Sequence, residues 1–244
     1  MQETTLLLNV FYLYIYMIQD IFTMKIYSSS QFRFLFFFSI ILFATTTKAQ
    51  NEAYSTVYNN EIADTTFVNL KDYSKDFIYD MKYATEDNFL KAKVYDCAEC
   101  VLRYKTVKAL VAANKEFMKN GCKIKIYDCY RPLSIQKKMW EIVSNPEYVA
   151  DPKKGSIHNR GGAVDISLVN ADGVELEMGT NFDFFGIQAS HNYKKFPVSV
   201  LANRKYLKTV MIKNGFNSFD SEWWHYNLKT GLKDKVSNQT WKCD

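Results

Sequence analysis

Glycine and proline are scarce, 9 and 4 in 244 residues, which excludes a collagen-like or low-complexity chain and argues against disorder. No block of one charge sign stands out. Of 31 Lys+Arg three fall in the first 49 residues, and of 26 Asp+Glu two, leaving the remainder with a scattered net charge of +4. Nucleic acid is therefore not the partner this composition indicates. Nothing recurs at a period of 20–50 residues, so a solenoid is excluded. Three catalytic signatures are also missing. Without His-Glu-x-x-His the commonest helix-borne zinc protease arrangement is ruled out, and without Gly-x-Ser-x-Gly a serine hydrolase has no support. The absence of a Gly-rich phosphate loop removes the case for a doubly wound nucleotide binder.

Long apolar runs are confined to the first 49 residues. From Met24, Lys25 and Arg33 precede the apolar stretch 34–44, and Thr47-Lys48-Ala49 offers small residues at a cleavage point. This reads as an export signal with its true start at Met24 and cleavage after Ala49, leaving residues 50–244 as one domain. The stretch is shorter than the roughly 20 residues a spanning helix needs, so no stable membrane span is expected after processing; a membrane anchor is the alternative. Export implies a periplasmic or secreted protein, where disulfides persist. Five cysteines remain: Cys97, Cys100, Cys122, Cys129 and Cys243. Six residues separate Cys122 from Cys129, which fails the spacing of a zinc ribbon, so disulfides among the first four are expected, with Cys243 free near a mobile end.

Residues 67–83 have extended character. Val107, Leu110, Val111, Phe117 and Met118 fall at helical spacings, predicting a helix over 106–120 stopped by Gly121. Alternation then predicts a half-buried strand from Cys122 to Cys129. A short helix capped by Ser134 follows to about Val143, then a polar loop over 145–160. A strand is predicted over 162–169, a helix over 198–214 stopped at Gly215, and a strand over 222–228. Strands and helices mix without a βαβ repeat, which indicates an α+β fold.

Histidine is limited to His158, His191 and His225. In Ser156-Ile-His158-Asn-Arg-Gly-Gly-Ala-Val-Asp165 an aspartate stands inside an otherwise apolar strand, where an unpaired carboxylate is costly. Zinc would neutralise it, with His158 as a second ligand, although a turn could also satisfy Asp165. Glu222-Trp-Trp-His225 offers a further neutral ligand and a carboxylate able to take a proton. Residues three apart on a regular strand face opposite ways, so the use of both requires a bend or bulge.

Together with Tyr130-Arg131-Pro132, these motifs resemble the D-alanyl-D-alanine dipeptidases, relatives of the zinc DD-carboxypeptidases and the Hedgehog zinc domain. The resemblance spans about Phe77 to Tyr226. It implies a Hedgehog/DD-peptidase-like α+β domain, a mostly antiparallel sheet flanked by helices, holding one zinc ion per chain. His158, Asp165 and His225 match the ligands, Glu222 the general base and Arg131 the arginine that supports the transition state. Ser156 and Asp183 match substrate-binding positions, Asp183 for an ammonium, although either could equally be a turn cap. His191 matches no ligand and is expected at the surface. The implied substrate is the D-Ala-D-Ala dipeptide. The alternatives are a zinc D,D- or L,D-carboxypeptidase acting on longer wall peptides and a non-catalytic zinc-binding domain, the latter disfavoured by the retention of Glu222.

Overall fold

The computed structural model describes residues 62–243. Among them are seven strands, β1 (Phe67–Asn69), β2 (Ile78–Tyr79), β3 (Val101–Arg103), β4 (Lys123–Asp128), β5 (Ala163–Val169), β6 (Phe216–Phe219) and β7 (Glu222–Leu228). The helices are α1 (Tyr104–Met118), α2 (Leu133–Ile142) and α3 (Val198–Lys213). Five strands form a sheet in the order β2-β4-β5-β7-β6, antiparallel throughout except between β2 and β4, while β1 and β3 pair separately. This is the α+β architecture that the mixed pattern of elements predicts. The expected export signal and cleavage point fall outside the described residues; among those described, no helix is long and apolar enough to cross a membrane.

All seven residues of β5 are buried, not half of them as alternation suggests. The strand is central, so both of its faces are covered. Val164, Ile166 and Leu168 share a core with Val107, Leu110 and Phe117 of α1 and Leu207, Val210 and Met211 of α3. Asp165 lies on the other face, away from this layer. On α1, Thr106, Ala113 and Asn114 are buried, whereas Met118 is exposed and Val111 only half-buried, so the buried stripe is rotated from the one the apolar residues alone mark out. Asn114 earns its burial by donating to Asp76 O and accepting from the Ile124 N–H.

Helix α2 begins two residues earlier than expected, with Pro132 and not Ser134 at its cap. The downstream segment supplies the partners that Ser134 was expected to provide: Leu133 N–H donates to Ser237 O and Ser134 N–H to Asn238 Oδ1. The same segment overturns the expectation of a free Cys243, while one of the disulfides expected among the other four is present. Cys243 is bonded to Cys97, Cys100 is bonded to Cys129, and Cys122 carries the free thiol. Trp241 packs against Tyr95 and Tyr130, and Ser237 N–H donates to Asn159 O, which brings Cys243 to Cys97.

A 3-10 turn, His158–Arg160, leads into β5 and closes on Gly161 at φ 69°. Gly161 O accepts from Arg103 N–H and from Thr106 Oγ1, joining the turn to β3 and α1. A methyl group there would overlap the Phe67 ring and lie 3.2 Å from the Arg103 backbone nitrogen. Gly161→Ala is expected to cost about 2 kcal/mol or more, combining positive φ with overpacking. Thermal unfolding should show a fall of roughly 4–8 °C for a domain of this size; an unchanged Tm would show that Phe67 yields without cost.

Candidate metal centre

Antiparallel pairing alone places Asp165 beside His225, which are opposite one another in the β5–β7 register. The turn before β5 adds His158. His158 Nε2 lies 3.3 Å from Asp165 Oδ2 and 3.2 Å from His225 Nδ1, and His225 Nδ1 lies 2.9 Å from Asp165 Oδ1. Tetrahedral coordination with bonds near 2.0 Å sets its ligands about 3.3 Å apart, so a small divalent ion fits this triangle with slight expansion. Two imidazoles and one carboxylate leave a fourth position open.

Each histidine is oriented from behind. His158 Nδ1 is 2.7 Å from Cys129 O, and His225 Nε2 is 2.9 Å from Asn227 Oδ1. Both partners only accept, so these nitrogens carry the hydrogens and the facing nitrogens point at Asp165. Ser156 Oγ accepts from the His158 N–H, and Arg131 N–H donates to His158 O. Burial opposes charge at Asp165, but the Coulombic pull of His158 and hydrogen bonds from both histidines hold its carboxyl well below the usual range. Burial likewise opposes the charged form of His225, yet Asp165 outweighs it and pushes the imidazole up to about 9.

Two bulges bring further groups to this face. In β4 the register shifts between Ile126 and Asp128, which places Asp128 against Asp165 instead of leaving it in line with Ile126. In the β6–β7 hairpin a shift between Ser218 and Phe219 supplies the irregularity needed by Glu222 and His225. Glu222 Oε2 then lies 3.9 Å from His225 Nδ1. Burial raises the Glu222 carboxyl above its ordinary value against the pull of His225. Trp223 and Trp224 diverge, the first under Arg204 and the second against Phe182.

Arg131 is buried and donates to Asp128 Oδ2 (2.6 Å) and Gln136 Oε1 (3.0 Å), over the Tyr83 ring. Tyr95 OH and Cys129 N–H occupy the other oxygen of Asp128. Asp183 adopts φ 58° and accepts from Tyr83 OH at 2.8 Å. Burial and the nearby Asp165 raise its carboxyl well above the ordinary value. Asp183 lines a cavity of about 680 Å³, and Glu222 lines another of about 470 Å³. His191 is not at the surface as expected. It is buried beside Tyr226, and burial with Lys208 and Arg204 lowers its imidazole to about 4. Asp128, Tyr83, Tyr95, Gln136 and Asn227 went unmarked in the sequence. Asp128 alone had a signal, a carboxylate continuing the Ile124–Ile126 alternation.

Residues 63–243 match the peptidase M15 family model, described as D-ala-D-ala dipeptidase. The D-alanyl-D-alanine dipeptidase of Escherichia coli (strain K12) is 34% identical over 183 residues, covering 75% of this chain and 95% of that protein. That of Enterococcus faecium is 30% identical over 175 residues, covering 62% and 85%. The LD-carboxypeptidase LdcB, whose solved structure concerns peptidoglycan recognition, is 20% identical with a TM-score of 0.38, covering 74% of this chain and 72% of its own.

The elevated His225 value has a measurable consequence. At neutral pH the metal-free cluster holds a proton on His225 that a metal ion must displace. Apparent metal affinity should therefore rise up to tenfold per pH unit between pH 7 and about 9, with close to one proton released per ion. Calorimetry in buffers of different ionisation enthalpy measures this directly; pH-independent binding without proton release would show that His225 is already neutral in the metal-free cluster.

Proposed function

The chain belongs to the D-ala-D-ala dipeptidase family of metallopeptidases, and on that premise we propose that it hydrolyses the dipeptide D-Ala-D-Ala to D-alanine with one zinc ion held by His158, Asp165 and His225. The observation that carries this reading is the convergence of those three donors, Glu222 and Arg131 on one face of the sheet. Two neutral imidazoles and a carboxylate suit zinc, and a second carboxylate, Glu222, 3.9 Å from one of those imidazoles suits hydrolysis.

When bound, the ion supplies Lewis acidity that polarises the scissile carbonyl and acidifies the attacking water. Glu222 takes the water proton and returns it to the leaving amine; a carboxyl raised above its ordinary value is better matched to both transfers. Arg131, fixed by Asp128 and Gln136, holds a permanent cation beside the developing oxyanion. It is close enough to act electrostatically on both Glu222 and Asp183. Asp183 receives the substrate ammonium, whose charge would return its carboxyl to the ionised form. Ser156 already accepts the His158 N–H, so its hydroxyl hydrogen is available to the substrate.

The export signature and the two disulfides support a periplasmic or secreted site of action. Side-by-side turnover of D-Ala-D-Ala and a wall pentapeptide tests the preference for a dipeptide.

Glu222→Gln preserves size but cannot take the proton, so turnover should fall roughly 10²–10⁴-fold with zinc content unchanged. Near-normal turnover with normal zinc would assign the proton to another group. By contrast, Ala at His158, Asp165 or His225 should lower zinc content together with activity, as metal analysis of the purified variants would show. Full occupancy in all three would overturn the ligand set. Arg131→Lys keeps the charge but loses the planar fork, so turnover should drop while zinc is retained.

A further inference from the structure

We propose that the Cys100–Cys129 disulfide is a positioning element of the metal centre: it fixes the Cys129 carbonyl that sets the tautomer and orientation of His158. The inference rests on His158 being a ligand. Both cysteines are fully buried. The β4–β5 ladder ends at Asp128, so Cys129 lies just beyond the last strand pair. Its N–H is given to the carboxylate of its own neighbour, Asp128 Oδ1, and its carbonyl is the acceptor for His158 Nδ1 at 2.7 Å. The β4–β5 ladder therefore holds neither polar group of Cys129. The peptide that carries the carbonyl is tied to β3 twice, through its own N–H, which Tyr130 donates to Val101 O, and through the covalent bond from Cys129 to Cys100 at the entrance to that strand.

What is anchored is more than one carbonyl. The four residues 128–131 contain the carboxylate that grips Arg131, the acceptor for His158 and the Arg131 N–H that donates to His158 O. A shift of this segment would move the imidazole and the guanidinium together. The second disulfide, Cys97–Cys243, provides the comparison, since neither of its peptides bonds to a ligand. Outer partners that fix a ligating histidine commonly account for 10–100-fold in metal affinity.

The test measures zinc dissociation constants by competition with a chromophoric chelator, and cobalt(II) absorption spectra, on the full chain and on C100A/C129A, C100S and C97A/C243A. All are held well below their melting temperatures. C100A/C129A and C100S should remain folded by circular dichroism, bind zinc 10–100-fold more weakly and show an altered cobalt spectrum. C97A/C243A should lose thermal stability with zinc affinity within about threefold of the parent. A merely structural staple would lower Tm in all three without moving affinity. Either Cys100 variant, folded and with zinc affinity within threefold of the parent, overturns the proposal, and C100S decides alone if the double variant does not fold. Failure of the underlying reading looks different: the parent would bind no stoichiometric zinc, or His158→Ala would bind it normally.

Discussion

A carboxylate in the middle of a fully buried central strand is the constraint on which this molecule depends. Asp165 stands on β5 with a hydrophobic layer behind it and protein on either side, where an isolated negative charge is expensive. Its neutralisation requires cationic or metal partners on the same face of the sheet, and each partner in turn requires its own support. His225 comes from the adjacent strand with Asn227 behind it, and His158 from the preceding turn with the Cys129 carbonyl behind it. The chain of dependence runs outward from one oxygen pair to α1, to the disulfide and to the loop that carries Arg131.

Regular secondary structure alone could not have assembled this face. Strict alternation keeps Ile126 and Ile166 on the helix-covered side and would carry Asp128 with them. Each flanking strand therefore departs from regularity at the point where a charged group is needed, β4 for Asp128 and the β6–β7 hairpin for Glu222. The arrangement is one of a smooth central strand, which supplies rigidity, between two irregular neighbours, which supply aim.

Much of this was legible in the residues. The helix around Val107–Phe117 is long and periodic, that over Val198–Lys213 is long and bounded by Gly215, the strands of Asp165 and His225 span seven residues each, and the requirement for a bulge between Glu222 and His225 followed from the pleat. β3 and β6 were not legible, because three or four residues carry too little periodicity to register. Tyr83 meets Asp183 across 100 positions, a contact set by tertiary packing and by no local pattern. His191 is polar yet buried beside Tyr226, and the absence of a ligand match alone had placed it at the surface. Cys243 was misjudged for a related reason: position along the chain suggested fraying, whereas Trp241 and Ser237 dock the segment firmly.

That docked segment has a consequence for the order in which the protein is made. Arg103 and Arg160 donate to carbonyls of Lys235 and Asp234, Ser237 donates to Asn159 beside the metal turn, and Leu133 and Ser134 begin their helix on Ser237 and Asn238. These partners are synthesised long after the residues they secure. As the chain is made, the turn that presents His158 waits for its partners in residues 234–238, just as Asp165 waits for His225 on β7. Chain order thus makes the finishing of this turn a late event, set by the docking of the last segment.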